Sequence, residues 1–195
     1  MNKRRVLAFF GGILILPSMF YGANFVLANS EVEKLQAEIE EKNDRLASIE
    51  REIAAQKLFN FIPEDALISG YNVMFDLGFY DALIKKHIKK EYVIQHDILD
   101  ILTIFRDLST TSHKLSDAVS YYNVQTPNTH RALDDVIATF EVFKSMVNQD
   151  AHVIKTYTNI IGYPPFRSYY GIKLPHVKYL PQRSGLKDLS LVHKL

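Results

Sequence analysis

The stretch ALISGYNVMFDLGFYDALIKKHIKK (residues 66–90) decides how this chain folds. Its first part, ALISGY, is a short apolar run that ends near a glycine, a pattern compatible with a buried strand. From Phe75 onward, apolar residues follow helical spacing, with Phe75, Phe79 and Leu83 near one face. Lysines collect at the end of this segment, where cations stabilise the negative end of the helix dipole. The stretch therefore predicts a strand followed directly by a helix.

The same alternation continues along the chain. YVIQHDILDILTIFRDLS (92–109) predicts a strand running into a helix, and SHKLSDAVSYYNV (112–124) predicts a short helix with Ser112 as its cap. NTHRALDDVIATFEVFKSMV (128–147) predicts a longer helix. The apolar stripe of that helix comprises Leu133, Val136, Ile137, Phe140, Phe143 and Val147. Strands that alternate with helices indicate an α/β layer structure.

Composition narrows the classes of function that are open to the chain. Its 195 residues are 47% hydrophobic and 12% aromatic, so it can bury a real core. The net charge of +1 provides no global attraction to nucleic acid or to a membrane surface. The chain has no cysteine, which excludes disulfides and thiolate metal sites. Any metal would be held by carboxylates and imidazoles, which favours Mg²⁺ or Mn²⁺ over structural zinc.

Residues 1–29 are predicted to be a membrane anchor or a signal peptide. The basic start MNKRR is followed by a run without charged side chains from Val6 to Ser30, and a bilayer crossing needs about 20 apolar residues. Val26 and Ala28 are placed like a cleavage site before Asn29, so cleavage and anchoring both remain open. Basic residues before the run and acidic residues after it predict that the rest of the chain is membrane-anchored or exported.

Residues 30–57 are predicted to form a short coiled-coil helix. Ser30 and Glu33 fit a capping box, which predicts that the helix begins there. One heptad position carries Val32, Ile39, Leu46 and Ile53, and the other carries Leu35, Lys42, Ile49 and Gln56. Such a seam pairs two chains in a homodimer, or it belongs to a charged surface helix that packs on its own domain.

Four segments carry a resemblance to a known family. GYNVMFDLGF, DILDILTIFRDLS, SHKLSDAVSYYNV and HRALDDVIATFEVF resemble, in order and spacing, the second half of the 3′→5′ exonucleases of the DNA polymerase III epsilon family, the DEDDh type. The resemblance covers Leu58 to Met146. It implies a ribonuclease-H-like α/β fold in partial form, here assigned to residues 58–150, and single-stranded 3′ ends of nucleic acid as the partner. It also implies a cytoplasmic location, in conflict with the N-terminal segment.

The resemblance implies a two-metal site. Asp76 in NVMFD and Asp135 in HRALDD match metal-binding aspartates of the family, and His130 matches its general base. Two divalent ions, Mg²⁺ or Mn²⁺, would polarise the scissile phosphate, while a histidine with a pKa near neutrality takes a proton from water. Asn72 is expected to shape the turn before Asp76. Tyr71 stands where many relatives have histidine.

These residues also have purely structural interpretations. His130 alone would be a loop or capping residue, and Asp76 alone a charge at a helix start. Asp134 is interpreted in that second way. Asp100 resembles a frequent family aspartate and is expected to be structural.

The family's first acidic motif, Asp-x-Glu on an opening strand, does not occur in residues 1–65. The metal site is therefore expected to be weak or incomplete, and hydrolysis impaired. Two alternatives stand beside an impaired exonuclease. One is a non-catalytic domain that binds nucleic acid or a partner, aided by a basic tail at residues 151–195. The other is a membrane-anchored coiled-coil protein whose C-terminal part is a structural remnant.

Overall fold

The computed structural model describes residues 21–110, 112–125 and 131–185. The chain divides after Arg51 into two compact units, one up to that residue and one from Glu52 onward. Six helices and four strands are described. They are α1 (Tyr21–Phe61), β1 (Ile68–Gly70), α2 (Val73–His87), β2 (Ile98–Asp100), α3 (Ile101–Leu108), α4 (Leu115–Tyr121), α5 (Ala132–Gln149), α6 (Val153–Tyr157), β3 (Ile160–Tyr163) and β4 (Lys178–Pro181). This mixture of helices and strands agrees with the α/β class expected from the sequence.

Helix α1 begins earlier than the sequence predicted. Ser30 lies inside the helix, so the predicted start at a Ser30–Glu33 capping box is wrong. No proline lies between Tyr21 and Phe61, so every residue of α1 has a backbone amide that can join helical hydrogen bonding. The helix ends at Phe61, shortly before Pro63, because proline restricts the backbone that precedes it.

The membrane-span prediction needs correction. Across the residues described, no helix is long and apolar enough to cross a membrane. Most of the expected span, residues 6–28, lies outside the described residues. In the described part, charged side chains begin at Glu31, so α1 has only residues 21–30 before them, against about 20 apolar residues for a crossing. A membrane-anchored or exported location is therefore wrong as a prediction.

The strand and helix predicted from residues 66–90 are both present. Strand β1 pairs in parallel with β2, with Ser69 opposite Leu99, and α2 lies in the connection between them. The strand is half-buried, and its central residue, Ser69, is exposed. The buried face of α2 differs from the predicted one. It comprises Val73, Met74, Leu77, Tyr80, Asp81 and Ile84, whereas Phe75 and Phe79 are exposed.

The segment expected to be a basic tail contributes two strands. Strands β3 and β4 pair in parallel, with Ile161 opposite Tyr179. Asn159 connects this pair to β2. Its side-chain oxygen accepts from the backbone amide of Ile98 at 2.9 Å, and its backbone amide donates to the Ile98 carbonyl at 2.7 Å. Asn159 has φ 60°, a left-handed conformation that asparagine tolerates better than most residues.

Two clusters of buried side chains form the core of the second unit. The first joins α3, α5 and α6 and includes Phe105, Val142, Met146, Tyr157 and Ile160. The second lies around α2 and the later strands and includes Val73, Leu77, Ile84, Ile161 and Val177. Residues 153–177 thus supply part of both clusters.

Of two predictions about the remaining helices, one is wrong and the other is correct only in part. Helix α4 has Lys114 as its N-cap, so Ser112 is not the cap. Helix α5 buries Ala138, Val142 and Met146, one step around the helix from the predicted stripe. Of the predicted stripe, Leu133, Val136, Ile137 and Phe140 are exposed, whereas Phe143 and Val147 are partly buried and pack against the first core cluster.

Candidate active site

A cleft of about 750 Å³ lies beside β1, between the first halves of α2 and α5. Its lining is largely apolar and includes Ile68, Val73, Leu77, Val136, Phe140 and Phe143. Two carboxylates, those of Asp76 and Asp135, also line it. The fold thus brings together on one cleft the two aspartates that the sequence analysis assigned to metal binding.

Asp76 stands in the first turn of α2 and is exposed to solvent. The turn before it is made by Asn72, which has φ 65° and ψ 46° and caps the helix by position without a side-chain hydrogen bond. The Phe75 amide donates to the Asn72 carbonyl at 3.0 Å. The expectation that Asn72 shapes this turn agrees with this left-handed geometry, which asparagine tolerates.

Asp135 stands in the first turn of α5 and is also exposed. A carboxylate at this position is stabilised by the positive end of the helix dipole. Asp134, its neighbour, is half-buried and does not line the cleft. His130, the expected general base, lies outside the described residues.

Asp100 connects the starts of α2 and α3. It is the N-cap of α3, and its carboxylate accepts from the Thr103 amide at 3.1 Å and from the Thr103 hydroxyl at 2.6 Å. Its other oxygen accepts from the Val73 amide at 3.1 Å, at the start of α2. Burial raises the pKa of Asp100, and these hydrogen bonds together with the Arg106 guanidinium partly offset that rise. One side chain therefore fixes the starts of two helices, which supports the structural role expected for it.

A buried polar network extends from Asp100 to the later strands. The Thr103 hydroxyl accepts from the Gly162 amide at 2.9 Å, and the Arg106 guanidinium donates to the Gly162 carbonyl at 2.6 Å. Gln182, which is 1% exposed, donates to the Thr103 carbonyl at 2.8 Å. Burial lowers the pKa of Arg106, and the nearby Asp100 partly restores it. The network ties β3 and the residue after β4 to α3.

Tyr71 links the start of α2 to the loop before α4. Its hydroxyl donates to the carbonyls of His113 and Lys114, at 3.0 and 3.1 Å. Burial raises the pKa of Tyr71, and Asp100 raises it further, so the hydroxyl keeps the proton that it donates. Sequence reasoning noted Tyr71 only as a departure from the family, and it missed Arg106 and Gln182. The hydrogen-bond partners of these residues are far away in sequence, so no local sequence pattern predicts the contacts.

The donor set at the cleft does not fit a two-metal centre. In the part of the chain that the structure describes, no group of three histidine or acidic side chains is placed to hold a metal ion. Outside that part, the residues with imidazole or carboxylate side chains are His130, Asp188 and His193. Two ions in one site require several shared, well-placed oxygens, and Asp76 and Asp135 supply too few.

Comparison with known proteins gives one family and several relatives. The sequence model of a family described as exonuclease, RNase T, matches residues 15–143. The chain is 25% identical over 155 residues to the DNA polymerase III PolC-type of Latilactobacillus sakei subsp. sakei, which covers 75% of this chain and 10% of that protein. It is 31% identical over 99 residues to the protein of the same name from Lacticaseibacillus paracasei, which covers 50% of this chain and 7% of that one.

A third relative, the DNA polymerase III PolC-type of Pediococcus pentosaceus, is 36% identical over 74 residues, 37% of this chain and 5% of that protein. The chain spans a tenth or less of the length of each of these three relatives. No solved structure was found to match it. The matched range begins well before Leu58, where the sequence resemblance was expected to begin.

Proposed function

The chain belongs to the RNase T exonuclease family, and from this membership we propose that it binds single-stranded 3′ ends of nucleic acid and hydrolyses them slowly or not at all. The observation that carries the proposal is the convergence of Asp76 and Asp135 on one cleft. Each stands in the first turn of its helix, and these two helices come from distant parts of the chain. The site is a family nuclease site in which part of the ligand set is present.

The rim of the cleft suits single-stranded nucleic acid. Phe75 and Phe79 are 63% and 66% exposed and stack edge-to-face, with their ring centroids 5.0 Å apart. Phe140, which is 57% exposed, lines the cleft on the α5 side. Exposed aromatic rings stack on unpaired bases of any sequence, with about 1–3 kcal/mol per base. A strand with splayed bases would therefore bind along these rings, with its backbone toward the carboxylates.

The impairment follows from the small number of carboxylates. Asp76 and Asp135 would be the metal ligands, and His130 would be the general base. Hard divalent ions bind weakly to two carboxylates alone, because they prefer six or more oxygen ligands. Losing one well-placed charge-stabilising group slows an enzyme by about 10²–10³. A site without the family's first acidic motif is therefore expected to work several powers of ten below a complete one.

The test is release of mononucleotides from a 3′-labelled single-stranded oligonucleotide in Mg²⁺ or Mn²⁺. We expect little or no release by the purified chain. The variants Asp76→Asn, Asp135→Asn and His130→Ala identify any residual activity. Asp134→Asn is the matched control, because it makes the same change in charge at the adjacent position outside the cleft.

The outcomes separate cleanly. Weak release that Asp76→Asn and Asp135→Asn abolish and Asp134→Asn preserves supports the proposal. Robust release that the three site variants abolish would show a complete site and contradict the impairment. Release that is indifferent to all of them would indicate a contaminating nuclease.

A second candidate function is binding of nucleic acid without cleavage. Phe166 and Tyr170 are 79% and 87% exposed, and the Arg167 guanidinium lies 5.7 Å from the centre of the Phe166 ring. Lys173 follows and is also exposed. Interleaved aromatic and basic side chains are typical of surfaces that bind single strands. Salt-sensitive binding of the same oligonucleotide, lost in Tyr170→Ala but not in Asp76→Asn, would favour this candidate over the cleft.

A further inference from the structure

Helix α1 carries an apolar stripe that no part of the described chain covers. The stripe comprises Val32, Leu35, Ile39, Leu46, Ile49 and Ile53, and these side chains are between 46% and 59% exposed. With Lys42 between Ile39 and Leu46, they fall at alternating spacings of three and four residues, which is the pattern of a left-handed coiled-coil seam. Leaving several large aliphatic side chains in water is unfavourable by about 25 cal/mol for each Å² of apolar surface.

In the part of α1 that belongs to the second unit, the seam positions lie away from the buried side of the helix. Ala55 is fully buried, and Phe59 and Ile62 pack against the second core cluster. Ile53 and Gln56, at the seam positions of the same turns, are exposed. Residues i and i+2 of a helix are separated by about 200° around its axis, so Ile53 and Ala55 lie on nearly opposite sides. A partner that contacts Ile53 and Gln56 would therefore leave the core contacts of Ala55 and Phe59 in place.

We propose that a second copy of this chain covers the stripe, as a parallel coiled coil with the two helices in register. The positions that flank the seam decide the orientation. The seam has two series, and one of them contains Val32, Ile39, Leu46 and Ile53. In a parallel pair, the residue just before a member of this series faces the residue five positions further along the other helix. Arg45 would then face Glu50 of the other copy, and Glu52 would face Lys57. Each of these pairs joins opposite charges, and each occurs twice by symmetry.

The antiparallel arrangement is disfavoured by the same residues. When the two seams overlap along their full length in that orientation, each flanking residue meets an equivalent flanking position of the other copy. Glu38 would then face Glu52, and Arg45 would face Arg45 of the other copy. Like charges at such positions are destabilising. Charge complementarity therefore selects a second copy in the parallel orientation.

The polar seam position Lys42 fixes the register. Lys42 would face Lys42 of the other copy across the seam, and two ammonium groups without a counter-charge would repel each other. Each Lys42 is already paired with Glu38 at 2.8 Å, and its long stem lets the charge reach solvent. Any shift of one heptad would set Lys42 against an aliphatic partner. A polar residue at a seam position specifies register at a cost in stability.

The absence of cysteine from the chain permits a direct test by disulfide formation in a glutathione redox buffer. In the full chain, Val32→Cys is expected to form a disulfide with its own copy, because identical positions meet only in the parallel pair. In the antiparallel pair, Val32 would instead face Gln56 of the other copy, and the two copies of Val32 would be about 36 Å apart. Lys34→Cys, at an exposed outward position, is the control.

Charge exchange provides the second test, by sedimentation equilibrium of the full chain. Lys57→Glu is expected to weaken the dimer about five- to thirtyfold, since two attractive pairs become repulsive. Adding Glu52→Lys should restore it, and Arg51→Glu, the same charge change on the outer face, should leave it unaltered. Disulfides in Val32→Cys well above those in Lys34→Cys support the proposal. Disulfides only between Val32→Cys and Gln56→Cys chains, or a monomeric mass at high micromolar concentration, would overturn it.

Discussion

At the scale of the residue, Gly162 is a position at which the fold leaves no room for a side chain. Its amide and carbonyl bind Thr103 and Arg106, so its backbone lies against α3. A Cβ at this position would lie 2.6 Å from the side-chain amide carbon of Gln182, closer than two non-bonded carbon atoms approach in proteins. Gln182 cannot move freely, because it is buried and donates to the Thr103 carbonyl.

Gly162→Ala is therefore expected to lower the free energy of unfolding by about 1–3 kcal/mol, the usual range for overpacking. Gly78→Ala is the matched control, because a Cβ there meets no atom within 4 Å and the residue lies inside α2. Alanine in a helix interior is better than glycine by up to about 1 kcal/mol, so this variant should be as stable as the parent chain or more stable. Urea denaturation measures both. Equal midpoints for the two variants would contradict the packing described for Gly162.

At the scale of the element, α5 shows why helical periodicity alone misplaced a buried face. The predicted stripe carries the larger apolar side chains of this helix, and of these only Phe143 and Val147 pack against the first core cluster. The structure buries the row of Ala138, Val142 and Met146, because α5 packs closely on the first core cluster. Val136 and Phe140, in the first half of the helix, line the cleft.

Two of the three valines of α5, Val142 and Val136, make this difference measurable. Val142 is fully buried, and Val142→Ala should lower the free energy of unfolding by about 2 kcal/mol, since two methyl groups leave a packed core. Val136 is 64% exposed, and Val136→Ala should change stability by less than about 0.5 kcal/mol. Thermal or chemical denaturation distinguishes the two. A larger loss for Val136→Ala would mean that the predicted stripe, and not the observed row, faces the core.

At the scale of the whole molecule, elements that are neighbours in the sequence were predicted, whereas contacts between distant segments were missed. The β1–α2 and β2–α3 pairs were foreseen, because strand and helix signals stand next to each other in residues 66–109. The pairing of β3 with β4 was not foreseen. Short strands such as KYLP carry little periodicity, and a parallel partner far along the chain has no local signal.

The candidate site divides in the same way. Asp76, Asp135 and Asn72 could be found, because the family resemblance covers both helix starts. The buried partners of the site, Arg106 and Gln182, could not, since their contacts join positions more than fifty residues apart. The membrane-span prediction failed for another reason. It rested on an uncharged run that follows a basic start, and within the described chain the uncharged residues belong to a helix that soon becomes highly charged.

The central claim is that the cleft holds part of a family metal site and no more. Titration of Mn²⁺ into the full chain, with the free ion followed by electron paramagnetic resonance, tests it most directly. We expect at most one ion per chain, with a Kd of about 10⁻⁴ M or weaker. This binding should be lost in Asp76→Asn and in Asp135→Asn and kept in Asp134→Asn. Two tightly bound ions per chain, or binding that survives both site variants, would contradict the account.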